Sequence, residues 1–600
     1  MEPVKNLAEL CETSCRQFGG RPYLGTRTNG AWTWITYRQF GELVDKVRGG
    51  LAGLGVGAGD RVAIIADNRV EWAAAAYATY GLEAAFVPMY QAQRPSEWQF
   101  ILADCGARVV LVATDAIYDA IQAMRPQLPD LSHVIGFSRP GGAADSWGAL
   151  VEAGAARPVP RREPSPQSVA GFIYTSGTTG KPKGVLLSHD NICSNLRAVE
   201  ELFPLVPEDR SLSFLPWAHS FGQTCELHNG FKFGASAALN DSLDRLLENL
   251  AEIKPTILVA VPRIFNRIYA AVNEDLSHRP PFLQRIIHTG LRGAIRRANG
   301  ERPGALEWLA LAFDDRAVFA KIRQRFGGRL RWVISGSAVL GRDVAQFIDA
   351  VGLPVFEGYG LTETSPIVTT NCPASRRIGS VGRVLPGVRV VIDTSVTSDE
   401  REGEIVVYGP NVMIGYHRRP EENEKTLTKD GGLRTGDLGF FDEDGFLYVS
   451  GRIKEQFKLE NGKYVMPSTL EEALKLSPYI ANVMIHGDGR PFNVALIVIN
   501  EPAVRAWAAQ AGVSLGEDAG RNDRVHELIS AELERLGSDF KRFENPREFA
   551  LIREDFTIAN GLLTPTLKLK RREVLSRYGA LIEALYARSA AAAAAALHAQ

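Results

Sequence analysis

The chain has 600 residues, 45% hydrophobic and 23% charged, with 68 Lys and Arg against 69 Asp and Glu for a formal net charge of −1. That length exceeds one ordinary domain, and the even charge balance argues against a nucleic-acid binder, which needs a basic surplus. Six cysteines, Cys11, Cys15, Cys105, Cys193, Cys225 and Cys372, show no CxxC or paired spacing, so neither a zinc site nor a disulfide framework is expected and a reducing cytoplasm fits. Met1 to Gly19 carries Glu2, Glu9 and Glu12 without a basic start and apolar core, so no signal peptide is expected. No run approaches the roughly 18 apolar residues that predict a transmembrane helix.

Residues 5–54 predict a helical opening segment, a strand pair around Tyr23–Tyr37 and a helix over Tyr37–Leu54. The pattern then turns regular, with strands at Arg61–Ile65, Ala84–Pro88 and Val109–Val112 alternating with helices at Val70–Tyr80 and Pro95–Ala103. Alternation at this pitch predicts α/β layers around a largely parallel sheet. Pro158–Gln167, with four prolines, reads as a linker.

Tyr174 to Gly184, YTSGTTGKPKG, packs glycines, hydroxyls and lysines between two short apolar runs. Such a loop suits a polyphosphate: glycines let backbone N–H groups approach anionic oxygens, Thr175, Ser176, Thr178 and Thr179 donate hydrogen bonds, and Lys181 and Lys183 add charge. It is not a Walker A loop, because Pro182 follows Gly180-Lys181 and a strand follows the loop.

Ser188 can cap a helix reaching about Phe203. An apolar strand then ends in Trp217-Ala218-His219-Ser220-Phe221-Gly222. Residues 265–327 predict a long helical, arginine-rich stretch, with Ile287, Leu291 and Ile295 forming an apolar stripe and Arg285, Arg292 and Arg296 largely off it. That face suits either solvent or reversible contact with a membrane surface. Two predicted strands end in Ser335-Gly336-Ser337 and in Glu357-Gly358-Tyr359-Gly360-Leu361-Thr362-Glu363. Ligands of open α/β sheets sit beyond such strand ends. In the second turn the small residues admit a nucleotide, Tyr359 offers a face to adenine, Thr362 a hydroxyl to phosphate and Glu363 an oxygen to Mg²⁺; as a bare pattern it is equally a tight turn with a capping Thr. From Arg389 to Val407 denser strands predict a β subdomain. Asp437, closing Arg434-Thr435-Gly436-Asp437, can chelate ribose hydroxyls. A charged run from Gly451 to Lys458 precedes an α+β segment with a helix at Glu471–Leu476, strands at Asn482–His486 and Val494–Asn500, and helices from about Val504 to Leu536. Residues 590–596 are all alanine, part of a low-complexity tail over 589–600 that carries no fold argument.

These motifs, in this order, resemble the adenylate-forming superfamily of acyl-CoA synthetases, luciferases and peptide-synthetase adenylation domains, over roughly residues 30–580. The resemblance implies a large N-terminal AMP-binding domain (1–450) of layered α/β subdomains plus the β subdomain, a hinge at 451–457, and a smaller mobile α+β C-terminal domain (458–588). It implies ATP or AMP contacts from Thr175, Ser176, Gly177, Thr178, Thr179, Gly180, Lys183, Gly336, Ser337, Glu357, Gly358, Tyr359, Gly360, Thr362, Asp437, Arg452 and Lys458, and Mg²⁺ held by Thr175 and Glu363. His219 is implied as a wall of the acyl site, Lys454 as the pivot and Gly462 as part of a coenzyme A face. Thr564-Pro565-Thr566-Leu567-Lys568 stands where the superfamily carries its catalytic lysine, with Leu567 in place of the usual glycine. That departure resembles the long-chain fatty acyl branch and assigns the amine to Lys568, with Lys570 as the other register. The implied activity is Mg·ATP-dependent conversion of a fatty acid to acyl-AMP, then to acyl-CoA. The alternatives are a fatty acyl-AMP ligase loading a carrier protein, which the short Glu363–Gly387 connection argues against, and a medium-chain or aryl acid–CoA ligase. The stretch Phe221–Leu239, with Phe231, Phe233, Ala235, Ala237 and Ala238, reads as either an acyl tunnel wall or core packing.

Overall fold

The computed structural model describes residues 4–176, 182–277, 279–298, 301–397, 400–564 and 567–598, with the backbone alone at some positions, including Ser176 and residues 590–598. Strands Ala85–Met89, Arg61–Ile65, Val109–Val112 and His133–Gly136 lie side by side in parallel. Their near-continuous apolar sequence fits strands covered on both faces. Helix Val70–Tyr80, found at its predicted bounds, is buried from Trp72 to Tyr80 because its residues are apolar all round. Val169–Ser176 extends this sheet beside Ala85–Met89 and folds back antiparallel as Pro182–Ser188. The described ends of the phosphate loop are thus the two strands of one hairpin; Gly177, Thr178, Thr179, Gly180 and Lys181 lie outside the described residues.

A second sheet runs Ile257–Ala260, Trp332–Ser335 and Val355–Gly360 in parallel, then Ile367–Thr370 antiparallel. The strand expected to stop at Glu357 runs on to Gly360, so the turn itself is Leu361–Glu363; it and the Ser335–Ser337 turn leave the carboxyl ends of neighbouring parallel strands, where a ligand crevice belongs. The strand pair at the N-terminus joins Ser236–Leu239 and Arg210–Ser213 in a third sheet. The β subdomain is a four-stranded antiparallel sheet from Arg389–Asp393 to Leu447–Arg452.

After residue 457 the chain builds separate cores. Ile480–His486, Asn493–Ile499 and Pro546–Ile552 form one sheet. Alternation along it sends Val483, Ile485, Ala495 and Ile497 to one apolar core and Met484, Val494, Leu496 and Val498 to another. The helical stretch over 265–327 is divided into Pro262–Ser277, Pro281–Ala298 and Ala305–Asp314, the last continuing through a wider π-turn into Ala320–Arg325. The alanine-rich tail carries on the last helix, which runs from Arg571 to His598, as the strongest helix-forming residue allows.

Candidate active site

Thr175 stands opposite Lys183 across the phosphate-loop hairpin. Lys183, expected to face phosphate, is almost buried, ion-paired to Glu422, with its ammonium 5.3 Å from the centre of the Tyr416 ring. The Tyr416 hydroxyl donates to Glu363 Oε1 at 2.8 Å. Glu422 holds the lysine from 239 residues away, and no local sequence signal marks it.

At the far side of the crevice, Asp437 and Arg452 face each other on neighbouring strands. Arg452 Nε lies 3.0 Å from Asp437 Oδ1, and the Tyr359 hydroxyl donates to Oδ2 at 2.7 Å. Both oxygens proposed for the ribose are thus already engaged. Burial raises the Asp437 carboxyl, while Arg452 and the Tyr359 hydrogen bond pull it back.

Lys568 comes from the C-terminal part of the chain into this crevice. Enclosure, and then the repulsion of Arg452, push its ammonium down to about 8, against the pull of Asp437, Glu455 and Glu363. Lys568 and Arg452 keep accessible surface of their own, so they line a cleft instead of filling a core. The lysine sits on a tight loop: the Thr564 N–H donates to the Lys568 carbonyl at 2.8 Å, and the Lys568 N–H to Thr564 Oγ1 at 3.0 Å. Leu567 there has φ +61, a left-handed conformation that costs a side chain about 1–2 kcal/mol and glycine little. That accounts for glycine at the corresponding place in the resembling motif. Lys570, the other register, points elsewhere, with its ammonium 3.6 Å from Glu97 Oε1. Behind the loop, Arg571 donates to both oxygens of the buried Glu471, at 2.9 and 2.5 Å, and to the Ile485 carbonyl.

His219, expected at the acyl site, stands near Lys568. The Phe221 N–H donates to His219 Nδ1 at 3.2 Å, which leaves the ring proton on Nε2. Enclosure, and then Lys568, lower His219 to about 4, so it is neutral at pH 7 and offers a hydrogen-bond donor, not a base. Gly336 is needed beside it, since a Cβ there would lie 2.9 Å from the Phe221 ring. Ser220 Oγ and Thr362 Oγ1, 3.1 Å apart, tie this segment to the nucleotide turn. Ser337 has φ +70.

Two residues that the sequence reading missed fix the approach to His219. Asn68 Nδ2 donates to Ser213 Oγ at 3.0 Å and to the Leu215 carbonyl at 2.7 Å, while Oδ1 accepts the Trp217 N–H at 2.8 Å. Glu226, on a π-helical turn over Gly222–His228, accepts from Ser213 Oγ at 2.5 Å and from the Trp217 indole at 3.3 Å. Burial pushes Glu226 up to about 8 from an ordinary 4.5, so it is mainly neutral at pH 7. Its preference for the proton stabilises the fold at low pH and fades as pH rises from about 4.5 to about 8. Glu226→Gln, uncharged throughout, should therefore gain thermal stability relative to wild type as pH climbs through that interval. A pH-independent difference in Tm would show that Glu226 stays ionised.

Phe231 is settled as core: it is fully buried against Tyr23, Tyr37, Phe40 and Tyr77. The Ala235 carbonyl accepts the Tyr37 hydroxyl. Gln223 is buried, with Nε2 3.4 Å from the Tyr80 hydroxyl.

The remaining site residues have clear local jobs. The Glu357 carboxylate is buried and takes backbone N–H bonds from Gly379 and Leu340, with its pKa raised to about 7 by burial. Gly360 is demanded by the chain itself, since a Cβ would lie 1.7 Å from the Pro366 carbonyl oxygen, and one on Gly358 would sit 3.2 Å from that of Thr369. Lys458 is exposed, 5.4 Å from the centre of the Tyr464 ring. Gly462 turns the short Phe457–Lys458/Tyr464–Val465 hairpin with φ +82. Lys454 is exposed, and its charge reaches Glu422. Among the described residues no group of three or more His, Cys, Asp or Glu side chains converges on one point. Mg²⁺ needs no such cage when one carboxylate and substrate phosphates supply its hard oxygens, and the Glu363 carboxylate with the Thr175 hydroxyl fits that donor set.

A hairpin closing a Gly- and Ser/Thr-rich loop, a tyrosine–aspartate–arginine cluster and a lysine from the C-terminal part of the chain fit an enzyme that works on a nucleotide. The chain belongs to the AMP-binding enzyme family, which matches residues 11–417, with the family's C-terminal domain matching 454–590. It is 33% identical over 577 residues to the long-chain-fatty-acid–CoA ligase FadD15 of Mycobacterium bovis, covering 93% of each chain. It is 31% identical to human long-chain-fatty-acid–CoA ligase 1, covering 98% of this chain and 87% of that protein. Its fold is similar to the crystal structure of the adenylation domain of a carboxylate reductase from Mycobacterium chelonae, with a TM-score of 0.81, 23% identity, and coverage of 98% of this chain and 92% of that one.

Proposed function

We propose that this chain joins long-chain fatty acids to coenzyme A in two steps. The fatty carboxylate attacks the α-phosphorus of ATP, giving acyl-AMP and pyrophosphate; the thiol of coenzyme A then attacks the acyl carbon, forming the thioester and releasing AMP. The relatives' names support the activity over nearly the whole chain. The observation that carries the mechanism is the placement of Lys568 in one cleft with Asp437, Arg452, Glu363 and His219.

The first step brings two anions together, so positioning and charge stabilisation dominate. In this reading Lys568 bridges the acyl carboxylate and the α-phosphate, His219 Nε2–H orients the carboxylate, and the hydroxyls of Thr175, Ser176, Thr178 and Thr179 with the N–H groups of Gly177 and Gly180 hold the outer phosphates. Thr362 and the Gly336–Ser337 turn border the α-phosphate and adenosine. Asp437 receives the ribose hydroxyls by exchanging its bonds to Tyr359 and Arg452, which frees the tyrosine ring to lie against adenine. Glu357, Gly358 and Gly360 shape that turn from beneath. Mg²⁺, held by Glu363 and Thr175, would neutralise phosphate charge.

Residues 1–450 and 458–588 act as two domains about a hinge at 451–457, with Lys454 as pivot. Rotation withdraws Lys568, brings Lys458 toward the nucleotide and presents the Gly462 hairpin to coenzyme A. Lys454→Pro, which fixes φ, should leave fatty-acid-dependent ATP–pyrophosphate exchange near wild type and slow acyl-CoA formation from preformed acyl-AMP at least tenfold, as gating steps can limit turnover. Equal rates in the second half-reaction would remove Lys454 as the pivot.

The acid itself is tested by chain-length profiling. Each buried methylene contributes about 0.8 kcal/mol, so kcat/KM should climb severalfold per added methylene until the acyl space is full. Acids of roughly twelve to eighteen carbons should far exceed acetate or butyrate, extrapolating that term. Equal efficiency with acetate and palmitate, or preference for an aromatic acid, would overturn the long-chain reading.

A further inference from the structure

Every exposed position on helix Ala305–Asp314 is apolar: Ala305, Leu306, Trp308, Leu309, Ala312 and Phe313. Leu306 and Leu309 keep 77% and 70% of their surface in solvent, and Phe282, at the start of the preceding helix, keeps 62%. A face this large and unbroken, left open, marks a contact surface. It cannot turn inward, because the opposite face is already committed. Ala310, Leu311 and Asp314 are buried, and the two helices pack so closely that a Cβ on Gly290 would lie 1.9 Å from Asp314 Oδ2 and one on Gly293 3.0 Å from Glu307 Cβ.

Charge decides what covers the exposed face. Between Arg279 and Arg325 ten Lys and Arg stand against four acids, in a chain of formal net charge −1. Arg285, Arg292, Arg297, Arg302 and Arg316 are exposed along the same helical hairpin; Arg296 is taken up by Glu301 and Glu307. Two copies meeting through this face would bring like charges together, whereas an anionic lipid surface would attract them and take the leucines and aromatics into its headgroup boundary.

We propose that helix Ala305–Asp314 seats the protein on anionic bilayers, with Leu306, Leu309, Trp308 and Phe313 inserted and the surrounding arginines on lipid phosphates. The contact extends the proposed fatty-acid activity, since such a substrate partitions into the same bilayer. The buried side of the helix adds Leu311 to the core that contains Leu258, Ala260 and Val333 of the second sheet, so the seated surface is continuous with the body carrying the acyl site.

The test is co-sedimentation of the full chain with vesicles of phosphatidylcholine, alone or with a one-third share of phosphatidylglycerol, at low and high salt and without substrates, so that its outcome is separate from the ligase assay. Binding should require the anionic lipid and weaken with salt. Leu306→Ser with Leu309→Ser should weaken it at least tenfold, and Arg285→Gln, Arg292→Gln and Arg297→Gln should cost about fivefold per arginine. All five positions are exposed, and unchanged melting temperatures and pyrophosphate exchange will show that the variants fold. The proposal fails if the wild type ignores anionic vesicles at low salt or if the leucine variant binds as tightly as the wild type. It fails equally if sedimentation shows a wild-type dimer that the leucine variant dissociates while vesicle binding stays the same.

Discussion

Lys568→Ala should lose acyl-adenylate formation by roughly 10²- to 10³-fold, the usual cost of one preorganised group that meets charge developing in the transition state. Thioester formation from supplied acyl-AMP should stay within a few fold of wild type, because the hinged arrangement withdraws this lysine for the second step. The pH dependence carries an independent signature. With its ammonium lowered to about 8 in the free cleft, Lys568 is protonated below that pH and loses its charge above it. The kcat/KM for ATP, which reports the free enzyme, should therefore fall as pH rises past about 8, and Lys568→Arg should remove the fall. Equal damage to both half-reactions would refute the role. A larger effect from Lys570→Ala would contradict the placement of Lys570 beside Glu97.

Glu471→Ala carries the second large effect. It removes both carboxylate oxygens that accept from the Arg571 guanidinium, leaving only the Ile485 carbonyl, in a buried ion pair at the base of the Lys568 loop. Breaking such a pair and leaving one charge behind costs about 3–5 kcal/mol, and Arg571, with 23% of its side chain exposed, should fall at the lower end. The loss should appear as earlier unfolding of the C-terminal cores and as weakened adenylation, since the helix that begins at Arg571 follows Lys568 by three residues. Glu471→Gln, which retains one acceptor, should recover part of both. If Glu471→Ala melts like wild type, the pair does not anchor the loop.

The α/β layers were legible because period and punctuation agree locally. Val70–Tyr80 and Arg61–Ile65 appear at their predicted bounds, and the Ser335–Ser337 turn follows its strand as expected, while the strand predicted to end at Glu357 continues to Gly360 and turns only at Leu361. What escaped was mostly long-range. Glu422 on Lys183, Asn68 on the His219 approach and Glu471 on Arg571 each join residues 100 or more positions apart, and a lone acid or amide in sequence does not announce its partner. Glu226 looked ordinary because burial, not its neighbours in the chain, sets its protonation. Phe231 shows the reverse error available to pattern reading: an aromatic beside small residues suits a tunnel or a core equally, and four surrounding rings place it in the core. Leu567 is a third kind of case, where a departure from glycine could be seen in the sequence but its strained φ could not.

Activation through an acyl-adenylate can be caught in a rapid-quench single turnover. Enzyme in excess is mixed with Mg·ATP labelled on the α-phosphate and palmitate, with coenzyme A withheld and then added. Labelled palmitoyl-AMP and stoichiometric pyrophosphate should form before coenzyme A enters, followed by conversion to palmitoyl-CoA and labelled AMP. Accumulation of ADP and acyl phosphate, or no nucleotide cleavage until coenzyme A is present, would contradict it.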